Sequence, residues 1–350
     1  HTSARACVRA YRTAIAQGLL FVYSGIKENA AITPVPIIEP LETVPDAWVC
    51  LNIFRDLPYD ALTLLENVID ASHIPYTHHK TVGNRSNVAP VELEVTESGK
   101  QGFKGVWQEG PRKGQLGTQY TTFTAPCLIW HDLTSKQFGR TLTVVYATPI
   151  SKGKCRLFAR FPFKFASALP RFFIQLAPTW YSHLNQNGVL EDDQIFLHHQ
   201  ERYLEVLGGG NNYSKAFYLP TKADLYVSEF RQWVNLYHSD PFPQQDLPPA
   251  LSKEQLLDRY HSHTKNCRSC SQALGRIKQL KQIAIAIPIL TWVIIPLLSI
   301  FMTLPSNLIA VGLSGTLLMF SLIWWQLNKI EAKFYLGKET PPRNLPGKKK

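Results

Sequence analysis

The densest run of chemically capable side chains is Glu66-Asn67-Val68-Ile69-Asp70-Ala71-Ser72-His73-Ile74-Pro75-Tyr76-Thr77-His78-His79. Imidazole and carboxylate groups hold Fe(II) and Zn²⁺ in proteins, and two histidines with one carboxylate leave coordination positions open for small molecules. Asp70 and His73 are three residues apart and would share a helix face. His73 and His78 are five apart. That is about 140° round an unbroken helix, too far for both to reach one ion. Pro75 lies between them and must disturb the helix, which can return His78 to the same point. A surface helix that merely carries histidines has the same spacing, and a zinc hydrolase uses the same ligand types. A second acidic group, Glu191-Asp192-Asp193, runs into the apolar stretch Gln194-Ile195-Phe196-Leu197. Carboxylates in such a helix need a partner or a metal, with capping or solvation as the plainer role.

The other reactive candidate is the pair Cys267 and Cys270. Thiols in a C-x-x-C can have lowered pKa values and exchange readily, which suggests a switch reduced by thioredoxin. A structural zinc is disfavoured because only His261 and His263 lie nearby and no second pair follows at finger-like spacing. Cys7, Cys50, Cys127 and Cys155 are single and read as small buried hydrophobes; six dispersed cysteines do not make a disulfide scaffold.

The elements around these groups follow from periodicity. Leu62, Leu65, Ile69 and Ile74 recur at helical spacing from Asp60 onward. Residues 91–96, 119–123 and 140–147 alternate polar residues with β-branched and aromatic ones and predict strands. Helix is expected again from Pro162 to about Leu207, stopping at Gly208-Gly209-Gly210. A short helix around Phe230–Tyr237 and a Pro-rich linker from Pro241 to Pro249 follow. Residues 1–50 read as strands and loops; Gly18-Leu19-Leu20-Phe21-Val22-Tyr23 is one of their apolar runs. The order of helix, strands and helix predicts an α+β domain with an antiparallel sheet. Phe161, Phe163, Phe165, Phe172 and Phe173 could line a pocket, but core packing is the expected role.

Near the C-terminus, residues 283–302 and 308–327 are two uncharged stretches of spanning length. Leu304-Pro305-Ser306-Asn307 would turn between them, so both ends emerge on one side. Pro288 and Pro296 are tolerable in a membrane helix, and Trp324 and Trp325 sit where aromatic belts belong. Arg276, Lys278 and Lys281 precede the hairpin, and Lys329, Lys333 and Lys348-Lys349-Lys350 follow it. Both flanks should therefore face the cytoplasm or its organellar equivalent. The net charge of +11 on 350 residues fits an anionic membrane surface better than nucleic acid, since the basic residues are scattered and no nucleic-acid-binding signature is present.

The run ENVIDASHIPYTHH resembles the iron-binding segment E-N-x-x-D-x-x-H-x-x-x-x-H of Rieske-type oxygenases. Its Pro-Tyr after the first histidine is similar to the pheophorbide a oxygenase group, which includes chlorophyllide a oxygenase and a Rieske protein of the chloroplast import machinery. Arg5-Ala6-Cys7-Val8, Ala125-Pro126-Cys127, Val189 to Gln200, Pro220-Thr221-Lys222 and Asn266-Cys267-Arg268-Ser269-Cys270-Ser271 extend the resemblance over nearly the whole chain. It implies a helix-grip (START-like) catalytic domain with a C-terminal transmembrane hairpin. His73 and His78 would bind a mononuclear Fe(II), with Asp193 as carboxylate ligand and Asp192 as the near alternative. Asp70 would hold His73 by its outer nitrogen and bridge electrons from a neighbouring subunit, most simply in a homotrimer, and Asn67 would lie close to the iron. The resemblance further implies dioxygen activation on a chlorophyll-derived tetrapyrrole, a [2Fe-2S] Rieske cluster, a ferredoxin-type donor, and a cyanobacterial or plastid membrane. One departure stands out: the cluster motifs C-x-H and C-x-x-H are missing from this chain. Since the chain opens with His1 rather than Met, a fragment or processed product is expected, with the cluster cut away or supplied by another subunit. The expected domains are a Rieske-domain remnant and linker (1–50), an iron catalytic domain (51–250), a C-x-x-C segment (251–281), the hairpin (282–328) and a basic tail (329–350). The rival from another class is a membrane-anchored, redox-regulated translocon component using Cys267 and Cys270.

Overall fold

The computed structural model describes residues 8, 10–136, 139–301 and 305–338. His1, Arg5 to Cys7, Leu304 and the terminal lysines, all named above, lie outside the described residues, as does position 302. A small hairpin, β1 (Arg12–Ala16) and β2 (Leu19–Tyr23), precedes a seven-stranded antiparallel sheet. Its strands are β3 (Val49–Leu57), β4 (Glu94–Gly99), β5 (Gly102–Trp107), β6 (Gln119–Thr124), β7 (Leu128–Ser135), β8 (Gly139–Ser151) and β9 (Lys154–Lys164). They lie in the order β3-β9-β8-β7-β6-β5-β4, an unbroken meander from β4 to β9 with β3 added beside its last strand. Only β9 pairs with β3, so the other edge of β3 offers backbone groups to whatever packs there.

The helices that bear on the site are α1 (Ala61–Ile69), α2 (Ile74–Thr77), α3 (Ala168–Leu176), α4 (Thr179–Val206), α5 (Leu225–Leu236), α6 (Arg268–Phe301) and α7 (Ser306–Tyr335). Strand alternation divides the core between the two faces of the sheet. Ile129, Val145 and Ala147 pack with Leu64, Leu65 and Ile69 of α1 and with Phe230 and Trp233 of α5. Their neighbours Leu128, Val144 and Tyr146 face the other way, onto Ile38, Leu41 and Trp48, with Leu19 and Phe21 of β2 alongside. The fold is thus α+β, an antiparallel sheet gripped by helices.

Several local expectations shift. Helix does not begin at Pro162, because β9 runs on to Lys164, paired with both β3 and β8. Phe161 and Phe163 belong to that strand and line a cavity, whereas Phe172 and Phe173 of α3 are 58% and 60% exposed instead of packed in the core. The glycine stop holds: Gly208 and Gly209 take positive φ and return their N–H groups to Glu205 and Leu204. The first apolar stretch belongs to a longer helix, α6, which starts at Arg268 directly after Cys267.

Helices α6 and α7 are each long and apolar enough to cross a membrane, with mean hydropathy of 2.5 and 1.9 over their most apolar windows and few buried residues there. At the hairpin's base Lys281 of α6 donates to Asn328 at 2.8 Å and pairs with Glu331 at 2.6 Å, both on α7. Fully buried Phe334 packs there with Cys270, Leu274, Ile277 and Leu184, fixing the hairpin against α4.

Candidate metal centre

The candidate metal-binding segment is built on a broken helix. Helix α1 ends at Ile69, and Asp70 is its extended C-cap (φ −72°, ψ 105°). Pro75 has no N–H and would clash with the turn before it, so the chain leaves the helix and starts a new turn, α2, with His73 as N-cap and His78 as C-cap. Asp70 and His73 therefore do not share a helix face, contrary to the expectation from spacing. The break brings the two imidazoles together with ring centroids 5.3 Å apart. The following loop folds back tightly: Gly83 donates to the His78 carbonyl at 3.0 Å, and a Cβ on Gly83 would stand 2.1 Å from the Ile74 carbonyl oxygen.

Each histidine is oriented by a partner. His73 Nδ1 lies 2.6 Å from the Asp70 backbone oxygen, which only accepts, so Nδ1 carries the proton and Nε2 keeps its lone pair. The Asp70 carboxylate stands 3.6 Å from the same nitrogen; its Oδ1 accepts from the Ser72 N–H at 2.8 Å and hydroxyl at 2.6 Å. Asp70 thus orients His73 chiefly through its main chain. From α4, Asp192 Oδ2 reaches His78 Nδ1 at 3.2 Å, and Asp193 Oδ2 lies 3.1 Å from His78 Nε2. Asn67 donates to the same Asp193 oxygen at 3.3 Å. His73, His78 and Asp193 each offer a donor atom within 4.8 Å of the others. Asp192 takes the outer nitrogen of His78, a partner the sequence had offered only as an alternative ligand. Glu191, one residue earlier, turns away to Arg55 at 2.8 Å and to two nitrogens of Arg259 at 2.6 Å.

Burial disfavours a charged imidazole at His73, but the Asp70 and Asp193 carboxylates outweigh it and raise its pKa. At His78 the same burial is overcome by hydrogen bonds and charge from Asp192 and Asp193, which push it up to about 9. Asp70 is held below the usual carboxylate range: burial opposes ionisation, and hydrogen bonds from His73 and Ser72 overcome it. The carboxylates that raise the pKa of half-buried His73 and buried His78 also favour a divalent cation among them. Two imidazoles and one carboxylate suit Fe(II) with coordination positions left open. These groups stand in the wall of a cavity of about 930 Å³ lined also by Leu51, Trp107, Leu133, Val145, Phe161 and Phe163. His131 of β7 lines it too and is partly buried, donating from Nε2 to the Val68 carbonyl of α1 at 3.0 Å while Nδ1 accepts from Thr121 at 2.9 Å.

A second convergence lies at the far end of α4. Cys267 and Cys270 are buried, free of any disulfide, and face His183 and His263. The expectation that disfavoured a structural zinc counted only His261 and His263 and missed His183, which sits on α4, 84 residues before Cys267. His261 points elsewhere, to Asp258 at 2.6 Å. Nothing local to His183 marked it; it lay as a lone histidine in the helix expected from Pro162 to about Leu207.

The family model for pheophorbide a oxygenase matches residues 123–210. Pheophorbide a oxygenase of Oryza sativa subsp. japonica is 34% identical over 307 residues, covering 80% of this chain and 56% of the rice protein. Flavonoid 8-hydroxylase 2 of Ocimum basilicum is 31% identical over 314 residues, covering 80% and 57%. The chain thus spans little more than half the length of these relatives. Among solved structures, NdmA of Pseudomonas putida CBB5 with caffeine superposes with a TM-score of 0.51 at 14% identity, over 67% of this chain and 64% of that one, a likeness of fold. With the helix-gripped sheet, these matches establish that the chain belongs to the pheophorbide a oxygenase-like family of Rieske-type oxygenases.

Proposed function

We propose that this chain is the catalytic part of a non-haem iron oxygenase, with His73, His78 and Asp193 as iron ligands and an apolar polycyclic substrate of the chlorophyll-derived tetrapyrrole class. The observation that carries the reading is the meeting of these three donors at the wall of the 930 Å³ cavity, with their other polar atoms already engaged by Asp70, Asp192 and Asn67. Bound there, ferrous iron would supply activation of dioxygen.

The chain's own residues do the positioning. Asp192 holds the His78 ring, the Asp70 carbonyl holds the His73 ring, and Asn67 steadies Asp193, so the donors need little rearrangement to receive a cation. Leu51, Val145, Phe161 and Phe163 give the cavity an apolar wall suited to a large planar ring and poor in competing water. Electrons would come from a [2Fe-2S] Rieske centre outside this stretch of chain, fed by a ferredoxin-type donor. The partly exposed Asp70 carboxylate, anchored by Ser72, would face that centre from a neighbouring subunit of a homotrimer. Helices α6 and α7 would anchor the domain as a membrane hairpin with both ends on the stromal or cytoplasmic side, near the bilayer that holds an apolar substrate. The rival reading, a redox-regulated translocon component, needs Cys267 and Cys270 open to a thiol partner, and both are buried.

The test is anaerobic Fe(II) reconstitution of the detergent-solubilised chain, compared with His73→Ala, His78→Ala and Asp193→Ala. About one iron per chain, lost in each variant, supports the site; turnover of chlorophyll-derived rings with a Rieske donor supplied then tests the substrate. Absence of stoichiometric iron, or iron indifferent to all three substitutions, removes the oxygenase reading.

A further inference from the structure

The four groups at the base of the hairpin have the geometry of a single-ion site. His183 Nδ1 lies 3.4 Å from Cys267 Sγ and 3.5 Å from Cys270 Sγ. His263 Nε2 lies 3.3 Å from Cys270 Sγ and 3.2 Å from His183 Nδ1. A tetrahedral zinc with ordinary Zn–S and Zn–N bonds separates its ligand atoms by about 3.3–3.8 Å. All four donor atoms fall within 4.8 Å of one another, compact enough for one ion.

The outward nitrogens of the two rings fix their tautomers. His183 Nε2 lies 2.8 Å from the Asn52 carbonyl oxygen, and His263 Nδ1 lies 2.6 Å from the Phe54 carbonyl oxygen. A carbonyl only accepts, so each of these nitrogens carries a proton, and the lone pairs of His183 Nδ1 and His263 Nε2 point inward. Asn52 and Phe54 alternate along β3, so their carbonyls leave the same side of the strand, its open edge. The sheet edge thus turns two imidazole lone pairs toward each other and toward two sulfurs. Inward lone pairs 3.2 Å apart repel, and a cation held between them and the two sulfurs removes that repulsion. A ligating histidine whose other N–H is held by a backbone carbonyl is the usual arrangement around a metal.

We propose that His183, His263, Cys267 and Cys270 form a closed Zn²⁺ site that fastens the base of the helical hairpin to the sheet. The donor set is the two-Cys, two-His set of structural zinc, with all four positions filled by protein and none left for substrate. Binding Zn²⁺ converts two thiols to thiolates, releases two protons to solvent and leaves both imidazoles neutral. The resulting unit carries no net charge, so it suits a pocket where His263 and Cys270 are 0%, Cys267 5% and His183 6% exposed. The same burial obstructs attack by an external thiol. The four ligands come from α4, the segment before α6, and α6 itself, so one ion joins the catalytic domain to the hairpin.

The test is zinc analysis of the detergent-purified chain grown with zinc, with and without iron reconstitution. About one zinc per chain is expected, lost in Cys267→Ser and Cys270→Ser and retained in His73→Ala and His78→Ala. Cobalt exchange into the wild-type chain reads the site without any variant. Tetrahedral Co²⁺ with thiolate ligands gives intense visible bands and sulfur-to-cobalt charge transfer, and both should appear together with loss of two titratable thiols. Failure to take up zinc or cobalt, or isolation of the pair as a disulfide that thioredoxin reduces, overturns the proposal. Either result leaves the iron measurement at His73 and His78 independent.

Discussion

Asp192 and Asp193 are adjacent on α4, yet they meet opposite nitrogens of one imidazole. One consequence is directly measurable. Asp192→Asn keeps the size of the side chain but removes the charge behind His78 Nδ1, so Fe(II) affinity should fall about 10–100-fold without being abolished. Anaerobic titration of the folded variant checks this, and unchanged affinity would remove the orienting role of Asp192. The candidate segment was legible because Asp70, His73 and His78 cluster in nine residues and the run resembles a known segment. The division of labour between Asp192 and Asp193 was not, because helix rotation relative to the site is a tertiary quantity. His183 was hidden for a related reason: its partners, Asn52 on β3 and Cys267, lie 131 and 84 residues away.

At the level of elements, the break between α1 and α2 governs the site. Periodicity read through it, since Ile69 and Ile74 both fit an apolar face, and only Pro75 signalled that the helix could not continue. Gly83→Ala should disturb this turn, because its Cβ would meet the Ile74 backbone oxygen and backbone cannot swing aside. Iron affinity should fall with the sheet intact by circular dichroism, while Gly99→Ala, with open space around its Cβ, should leave affinity unchanged. A second link ties α1 to β7 through neutral His131, whose pKa burial pushes down from 6.5 to about 4. Between those values the folded chain binds fewer protons than the unfolded one, so this contribution is present above about pH 6.5 and lost as pH falls toward 4. Its full size is about 3 kcal/mol. Thermal unfolding of the iron-free protein from pH 7 to 4.5 should show a steeper loss for wild type than for His131→Phe; parallel profiles would remove the buried-neutral assignment.

At the scale of the whole molecule, α4 is the beam that joins the sheet, the proposed iron site and the hairpin. Its 28 residues span about 42 Å, and Asp193 and His183, ten positions apart, stand about 15 Å from each other along it. Between them Glu191 accepts from Arg55 of β3 and from Arg259, which also donates to the Lys333 carbonyl of α7 at 2.9 Å. Beyond α7 the Gly337 N–H bonds the Leu257 carbonyl at 2.8 Å, and a side chain on Gly337 would collide with the Glu191 carboxylate. The two apolar stretches were plain in the sequence from their lack of charge, but this docking was not, because it depends on a buried Arg–Glu–Arg group drawn from three distant segments. Glu191→Ala would leave two buried guanidiniums without their carboxylate, a loss of about 3–5 kcal/mol. The expected result is a lower unfolding temperature and faster proteolysis in the Pro-rich stretch from Pro241 to Pro249. Iron affinity of the molecules still folded should stay near wild type, since Glu191 turns away from His78 while Asp192 and Asp193 turn toward it. Iron loss in step with unfolding temperature would mean instead that hairpin docking and the iron site form one cooperative unit.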